Sequence, residues 1–73
     1  MGFRLYGTAH CHLCEQAQVL LAQCRIAVEH VDIAEDDALL ERYGVRIPVL
    51  SRVADGAELD WPFDADQLQR FCA

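Results

Sequence analysis

Near the start of the chain the hydrophobic period changes from that of a strand to that of a helix, and the change falls across a pair of cysteines. "FRLY" (3–6) reads as a short strand ended by Gly7, and from residue 13 onward Leu13, Ala17, Leu20, Leu21 and Cys24 recur at helical spacing. Glu15, Gln16, Gln18 and Gln23 fall elsewhere on the wheel, so this is an amphipathic helix of about three and a half turns. "AVEHVDI" (27–33) is β-branched and reads as a second strand. A strand, a helix and a strand in that order fold as a right-handed parallel crossover. The C-x-x-C of "HCHLC" then lies on the turn entering the helix.

The remaining elements follow from local signals. "EDDALLERYG" (35–44) reads as a second helix, with an acidic first turn suited to the helix dipole and Gly44 as a left-handed stop. "IPVLSRV" (47–53) and "AELDW" (57–61) flank Ala54-Asp55-Gly56, and an Asp-Gly pair between two such runs marks a hairpin. In the second arm Ala57, Leu59 and Trp61 alternate with Glu58 and Asp60, one face buried and one wet. "DADQLQRFC" closes the chain as a helix in which Asp64 and Gln67 form a capping box and Leu68 and Phe71 face inward. The order β-α-β-α-β-β-α predicts an α/β fold: a mixed four-stranded sheet with helices on both faces, spanning residues 1–73 as one domain.

At 73 residues the domain is small and buries only about 60% of the surface its unfolded chain exposes. Its 53% hydrophobic content is that of a folded protein. No apolar run approaches the roughly 20 residues that cross a bilayer. The start "MGFRLYG" has no apolar signal core, and Tyr6 stands where a myristoylation motif needs Ser or Thr, so a cytoplasmic location and no membrane association are expected. Twelve acids against six bases give a net charge of −6, and all the bases are arginine. That balance repels phosphate backbones and argues against nucleic-acid binding.

Four cysteines in so short a chain also suit a disulfide scaffold. Their placement, two at a helix start, Cys24 in a helix body and Cys72 at the carboxyl end, does not suit spread-out staples, and the hydrophobic pattern makes a core without them. The pair Cys11 and Cys14 remains open to three readings: redox dithiol, part of a metal site, or structural disulfide. A helix amino terminus stabilises a thiolate through its unpaired N–H groups and dipole, and thiolate is the attacking species. Cys11, at the first turn, suits an exposed nucleophile. Cys14, bordering the Ala17–Leu21 stripe, suits a more buried partner that resolves a mixed disulfide. His10 and His12 either tune that thiolate or are plain surface histidines, and His30 reads as structural. Pro48 opens what should be a central strand, where a missing N–H is costly. A cis Ile47–Pro48 bond would account for it, the alternative being a trans proline at a strand start.

"YGTAHCHLCEQA", "VEHVDI" and "YGVRIPVL", spaced along this element order, resemble the glutaredoxin branch of the thioredoxin superfamily, and most closely its small bacterial glutaredoxin-like proteins. The resemblance implies a thiol–disulfide oxidoreductase of thioredoxin-like fold in which Cys11 is nucleophile and Cys14 the resolving cysteine. It also implies that Pro48 is the cis-proline beside the dithiol and that Ile47 pairs its backbone with an extended peptide or glutathione. His12 stands where the family commonly has Pro, and Arg46-Ile47-Pro48 where it has Thr-Val-Pro. His12, Arg46, Ile47 and Pro48 are the substrate-binding candidates. The Gly-Gly and acidic pair that hold glutathione's γ-glutamyl end are replaced by "DWPFDADQL", leaving Arg42, Arg46 and the amino end of the last helix to bind a carboxylate. No cofactor is expected, with glutathione at most a co-substrate. The expected partner is a disulfide-containing protein or a small thiol, and the expected state a monomer.

Two other functions fit the residues. One is a binding or adaptor module that keeps the fold with a passive disulfide. The other is a metal or iron–sulfur protein using His10, Cys11, His12 and Cys14, although neighbours on one turn rarely close a tetrahedral site. Cys24 reads as a small buried hydrophobe, Cys72 as a free surface thiol, Trp61 as core, and Glu35-Asp36-Asp37 as helix-terminal charge.

Overall fold

A computed structural model describes residues 2–73, and Met1, where the expected domain begins, lies outside them. The elements run β1 (Phe3–Gly7), α1 (His12–Gln23), β2 (Glu29–Asp32), a single 3-10 turn (Ile33–Glu35), α2 (Asp37–Tyr43), β3 (Val49–Arg52), β4 (Glu58–Asp60) and α3 (Ala65–Cys72). The sheet order is β2-β1-β3-β4, with β1 and β2 parallel and the other two pairings antiparallel.

Strand alternation sends neighbouring side chains to opposite faces of the sheet. Leu5 and Leu50 pack with Ala17 and Leu21 of α1 and Leu68 of α3, with Phe63 completing that core. Tyr6 and Val49 face the other way, against Ile33, Leu39 and Tyr43. The helices therefore cover both faces, α1 and α3 on one and α2 on the other. Each fully buried leucine in the larger core contributes about 1.5–3 kcal/mol.

Local chemistry explains where the elements end. At the end of α1, Cys24 is the cap, Arg25 takes a left-handed φ of 59°, the Arg25 N–H bonds to the Ala22 carbonyl and the Ile26 N–H to the Leu21 carbonyl. That is a Schellman motif with arginine where glycine is usual. The hairpin turns as its Asp-Gly pair predicts: Gly56 has a φ of 73°, and Asp55 is held by Arg52 and accepts the Ala57 N–H. At α3 both halves of the capping box form between Asp64 and Gln67.

Several expectations need correction. The helix read over 35–44 is split, because the Asp32 carboxylate caps a separate turn at Ala34 and the Asp36 carboxylate accepts from Ala38 and Leu39 to start α2. The acidic run is thus a set of caps as well as dipole charge. Ile33, read as the end of a strand, anchors the smaller core from that turn. Gly44 is not left-handed: its φ and ψ are −51° and −35°, and a side-chain carbon there would collide with the Leu40 carbonyl oxygen. Glycine serves close approach rather than a positive φ. Leu13, placed on the inward stripe by periodicity, is 45% exposed, and Cys14 takes the inner position instead.

Candidate functional site

The dithiol is built by the turn that joins β1 to α1. His10 adopts a φ of 61°, a left-handed conformation that swings the chain into the helix. Cys11 follows as N-cap, with its carbonyl accepting from the Glu15 N–H at 3.0 Å and its Sγ accepting from the Cys14 N–H at 3.2 Å. The Cys11 sulfur thus occupies the place where a helix amino terminus favours negative charge. Cys14 lies one turn on, its Cα 5.2 Å from that of Cys11, and the two sulfurs are joined as a disulfide. Cys11 is half-buried while Cys14 is 2% exposed.

The sheet brings distant residues to this point. Gly7 pairs with Asp32 at the end of the parallel ladder. Tyr6 pairs with Val49 and Val49 with Asp60, so the next row across the sheet is Asp32, Gly7, Pro48 and Trp61. The Trp61 N–H reaches the Pro48 carbonyl at 3.3 Å. Pro48 shares the face of Leu50, and Trp61 that of Leu59, the same face on which Gly7 meets Cys14 Sγ. Pro48 is buried, and the Ile47–Pro48 bond is cis, as is Trp61–Pro62. The Ile47 N–H bonds back to the Tyr43 carbonyl at 3.1 Å and its side chain packs on the α2 side.

Arg46 precedes that loop, but its guanidinium is committed elsewhere. It bonds Glu58 and Asp60, each at 2.8 Å, and lies over the Tyr43 ring at 5.3 Å from the centroid. Glu58 and Asp60 alternate with Leu59 and Trp61, so this network sits on the α2 face, away from the dithiol. Arg42 reaches Glu58 at 3.5 Å and stacks on the same ring. The Tyr43 hydroxyl donates to Glu58 at 2.6 Å, and burial followed by that bond pushes the phenol up to about 12. The same hydroxyl, then Arg46, holds the Glu58 carboxyl below its ordinary range. Two partners, Asp60 foremost, push Arg46 up.

The other candidates are more peripheral. The His12 side chain is 94% exposed, 3.8 Å from Glu15. With Glu15, Gln16, Val19, Leu20, Gln23 and Trp61 it lines a groove of about 420 Å³ along the outer side of α1. Trp61, read as core, is half-buried, meets Phe63 edge-on at 5.0 Å between centroids and forms one wall of that groove. His30 is exposed on the edge strand β2 and lines a second cavity of about 240 Å³ that Cys14 also lines. Cys24 and Cys72 are both half-buried against the larger core, and burial raises the Cys72 thiol. Among the described residues, no three His, Cys, Asp or Glu side chains assemble as a metal-binding group.

Sequence reasoning missed the Tyr43–Glu58–Arg46 network, whose only local trace is the alternation of Glu58 and Asp60 with apolar neighbours. It also missed the backbone role of His10, for which no local signal stood out, and the need for glycine at position 7.

Comparisons agree with this architecture. The model of the glutaredoxin-like domain (DUF836) family matches residues 3–72. Among solved structures, the X-ray structure of the structural-genomics target protein XcR50 from X. campestris is 48% identical. It superposes with a TM-score of 0.87 over 94% of this chain and 92% of that one. The solution structure of XcR50 gives 49% identity and a TM-score of 0.86, covering 97% of this chain and 91% of that one. Protein Ne2328 from Nitrosomonas europaea is 29% identical with a TM-score of 0.74, over 97% of this chain and 89% of that one. No curated protein matches. The fold is α/β and thioredoxin-like, and the chain belongs to the glutaredoxin-like domain (DUF836) family.

Proposed function

We propose that the protein is a thiol–disulfide oxidoreductase. The observation that carries the reading is the asymmetry of the pair: Cys11 is half-buried at the amino end of α1, and Cys14 is buried one turn on. In the reducing direction the Cys11 thiolate attacks one sulfur of a substrate disulfide, forming a mixed disulfide and expelling the first substrate thiolate. The Cys14 thiolate then attacks the Cys11 sulfur, expels the second thiolate and leaves the Cys11–Cys14 disulfide. Two electrons pass from the dithiol to the substrate, and two protons end on the released thiols. Two thiols from a small-molecule or protein reductant restore the pair by the reverse exchange. The partner is a disulfide-bearing protein or small thiol, and a cytoplasmic setting would keep the pair cycling.

His12 lies between the two cysteines, and the strand register sets Pro48 beside Gly7, whose open side faces the Cys14 sulfur. These residues would meet whatever is bonded to Cys11. Cys11→Ser should abolish disulfide reduction, and Cys14→Ser should accumulate a covalent adduct on Cys11 visible by intact mass. A wild-type protein that leaves disulfides untouched while dithiothreitol reduces them would overturn the reading.

A further inference from the structure

Among the described residues, five of the six arginines that could hold a substrate carboxylate are already paired with the protein's own acids. Arg46 is bonded to Glu58 and Asp60 on the opposite face of the sheet, and Arg42 to Glu58. Arg4 is paired with Glu29, Arg52 with Asp55 and Arg70 with Asp66. Arg25 stands past the far end of α1, whose 12 residues put it about 18 Å from Cys11. The chain has no lysine. Helix amino ends are the other ready anion sites. At α3 the Asp64 carboxylate accepts the Gln67 N–H at 2.8 Å, and at α2 Asp36 accepts from Ala38 and Leu39. At α1 the acceptor is Cys11 itself.

The charges that do face the dithiol end are acidic. Glu15 lies on α1 and lines the groove with His12 and Trp61. Asp32 lies beside Gly7 and lines the cavity behind Cys14 with His30. Asp64 caps α3, and His10 precedes Cys11. A net charge of −6 adds a repulsive field.

We infer that the dithiol selects disulfides with neutral or cationic surroundings, a polypeptide of that character, over carboxylate-bearing ones such as oxidised glutathione. This rests on the oxidoreductase reading and gives it a substrate class. The groove supports it: Val19 and Leu20 offer apolar surface to a peptide bonded to Cys11, and Glu15 offers the single charge, suited to a basic side chain.

The test compares four disulfides with the reduced wild-type protein at about pH 8, above the ordinary titration range of histidine. These are cystamine (cationic), bis(2-hydroxyethyl) disulfide (neutral), 3,3′-dithiodipropionate (anionic) and oxidised glutathione. Each rate is divided by that of dithiothreitol with the same disulfide, which removes intrinsic leaving-group differences. The cationic and neutral disulfides should exceed the two anionic ones by about tenfold at low salt, and the gap should shrink at about 0.5 M salt. Glu15→Arg, an exposed change, should raise the anionic rates relative to the cationic one. Anionic disulfides reacting as fast as the neutral one, or a preference untouched by salt and by Glu15→Arg, would overturn the inference while leaving the oxidoreductase reading standing. Inertness towards all four would remove that reading and the inference with it.

Discussion

Gly7 and Cys14 meet so closely that a side-chain carbon built on Gly7 would stand 3.0 Å from the Cys14 sulfur. The contact joins the last residue of β1 to the buried member of the dithiol. It lies in the row that also holds Pro48 and Trp61, so the carboxyl end of β1 and the start of α1 are positioned by one another. Glycine is needed here for space.

Gly7→Ala should therefore overpack this junction, at a cost of about 1–3 kcal/mol. Urea denaturation should show a lower midpoint with an unchanged slope. Thiol titration of the reduced variant should show Cys14 reacting faster than in wild type, since its sulfur must move out to make room.

Arg25 holds a left-handed φ of 59° at the position after the α1 cap, where glycine carries no steric penalty. The backbone cost for an L-residue there is roughly 1–2 kcal/mol, offset in part by the extra freedom glycine gives the unfolded chain. Arg25→Gly should raise thermal stability, with a gain on the order of 0.5–1 kcal/mol. A lower melting temperature would show that the Arg25 side chain contributes more than its backbone costs.

Leu68 and Leu13 separate core from surface. Leu68 is fully buried among Leu5, Leu21 and Leu50, and Leu68→Ala should cost about 2–5 kcal/mol, a large share of the stability of so small a domain. Leu13 is 45% exposed, and Leu13→Ala should change stability by no more than about 0.5 kcal/mol. Chemical denaturation of the two variants side by side measures the contrast.

The Tyr43–Glu58 bond links stability to pH at both ends. Tyr43 ionises at about 12 in the folded protein against 10.0 normally, so its stabilisation is complete below pH 10 and is lost as pH rises through about 12. Glu58 is depressed below its ordinary 4.5, so its contribution is present above that value and is lost as pH falls through the lower folded pKa. Tyr43→Phe should flatten the alkaline fall and weaken the acid one, because the hydroxyl is the foremost cause holding Glu58 down. Melting temperatures taken across pH in both proteins show both effects.

Much of the fold was legible because its signals are local. The change of period around Cys11 and Cys14, the Asp55-Gly56 turn and the Asp64–Gln67 box each lie within a few residues, and each has its own hydrogen-bond chemistry. The split at Asp36 was less legible, because an acidic run reads equally as a helix's first turn and as a series of caps. Leu13 was misplaced because helical spacing alone does not say where the inward stripe begins; Cys14, being small and soft, fits against Gly7. Of the candidate site residues, Cys14 packs on Gly7 and is joined to Cys11, Pro48 falls beside Gly7 in the sheet, the His12 side chain stands at the surface, and the Arg46 side chain lies on the other face.

By itself the sequence determined the order of elements and placed a dithiol at a helix amino end, because periodicity and capping act between near neighbours. Only the tertiary structure decided which charges the dithiol sees. The strand register sets side-chain parity: it turns Glu58 and Asp60 to the α2 face, where they take up Arg46, and Trp61 to the other. A slip of one residue would exchange the two faces, and that register is fixed by pairing between segments far apart in the chain.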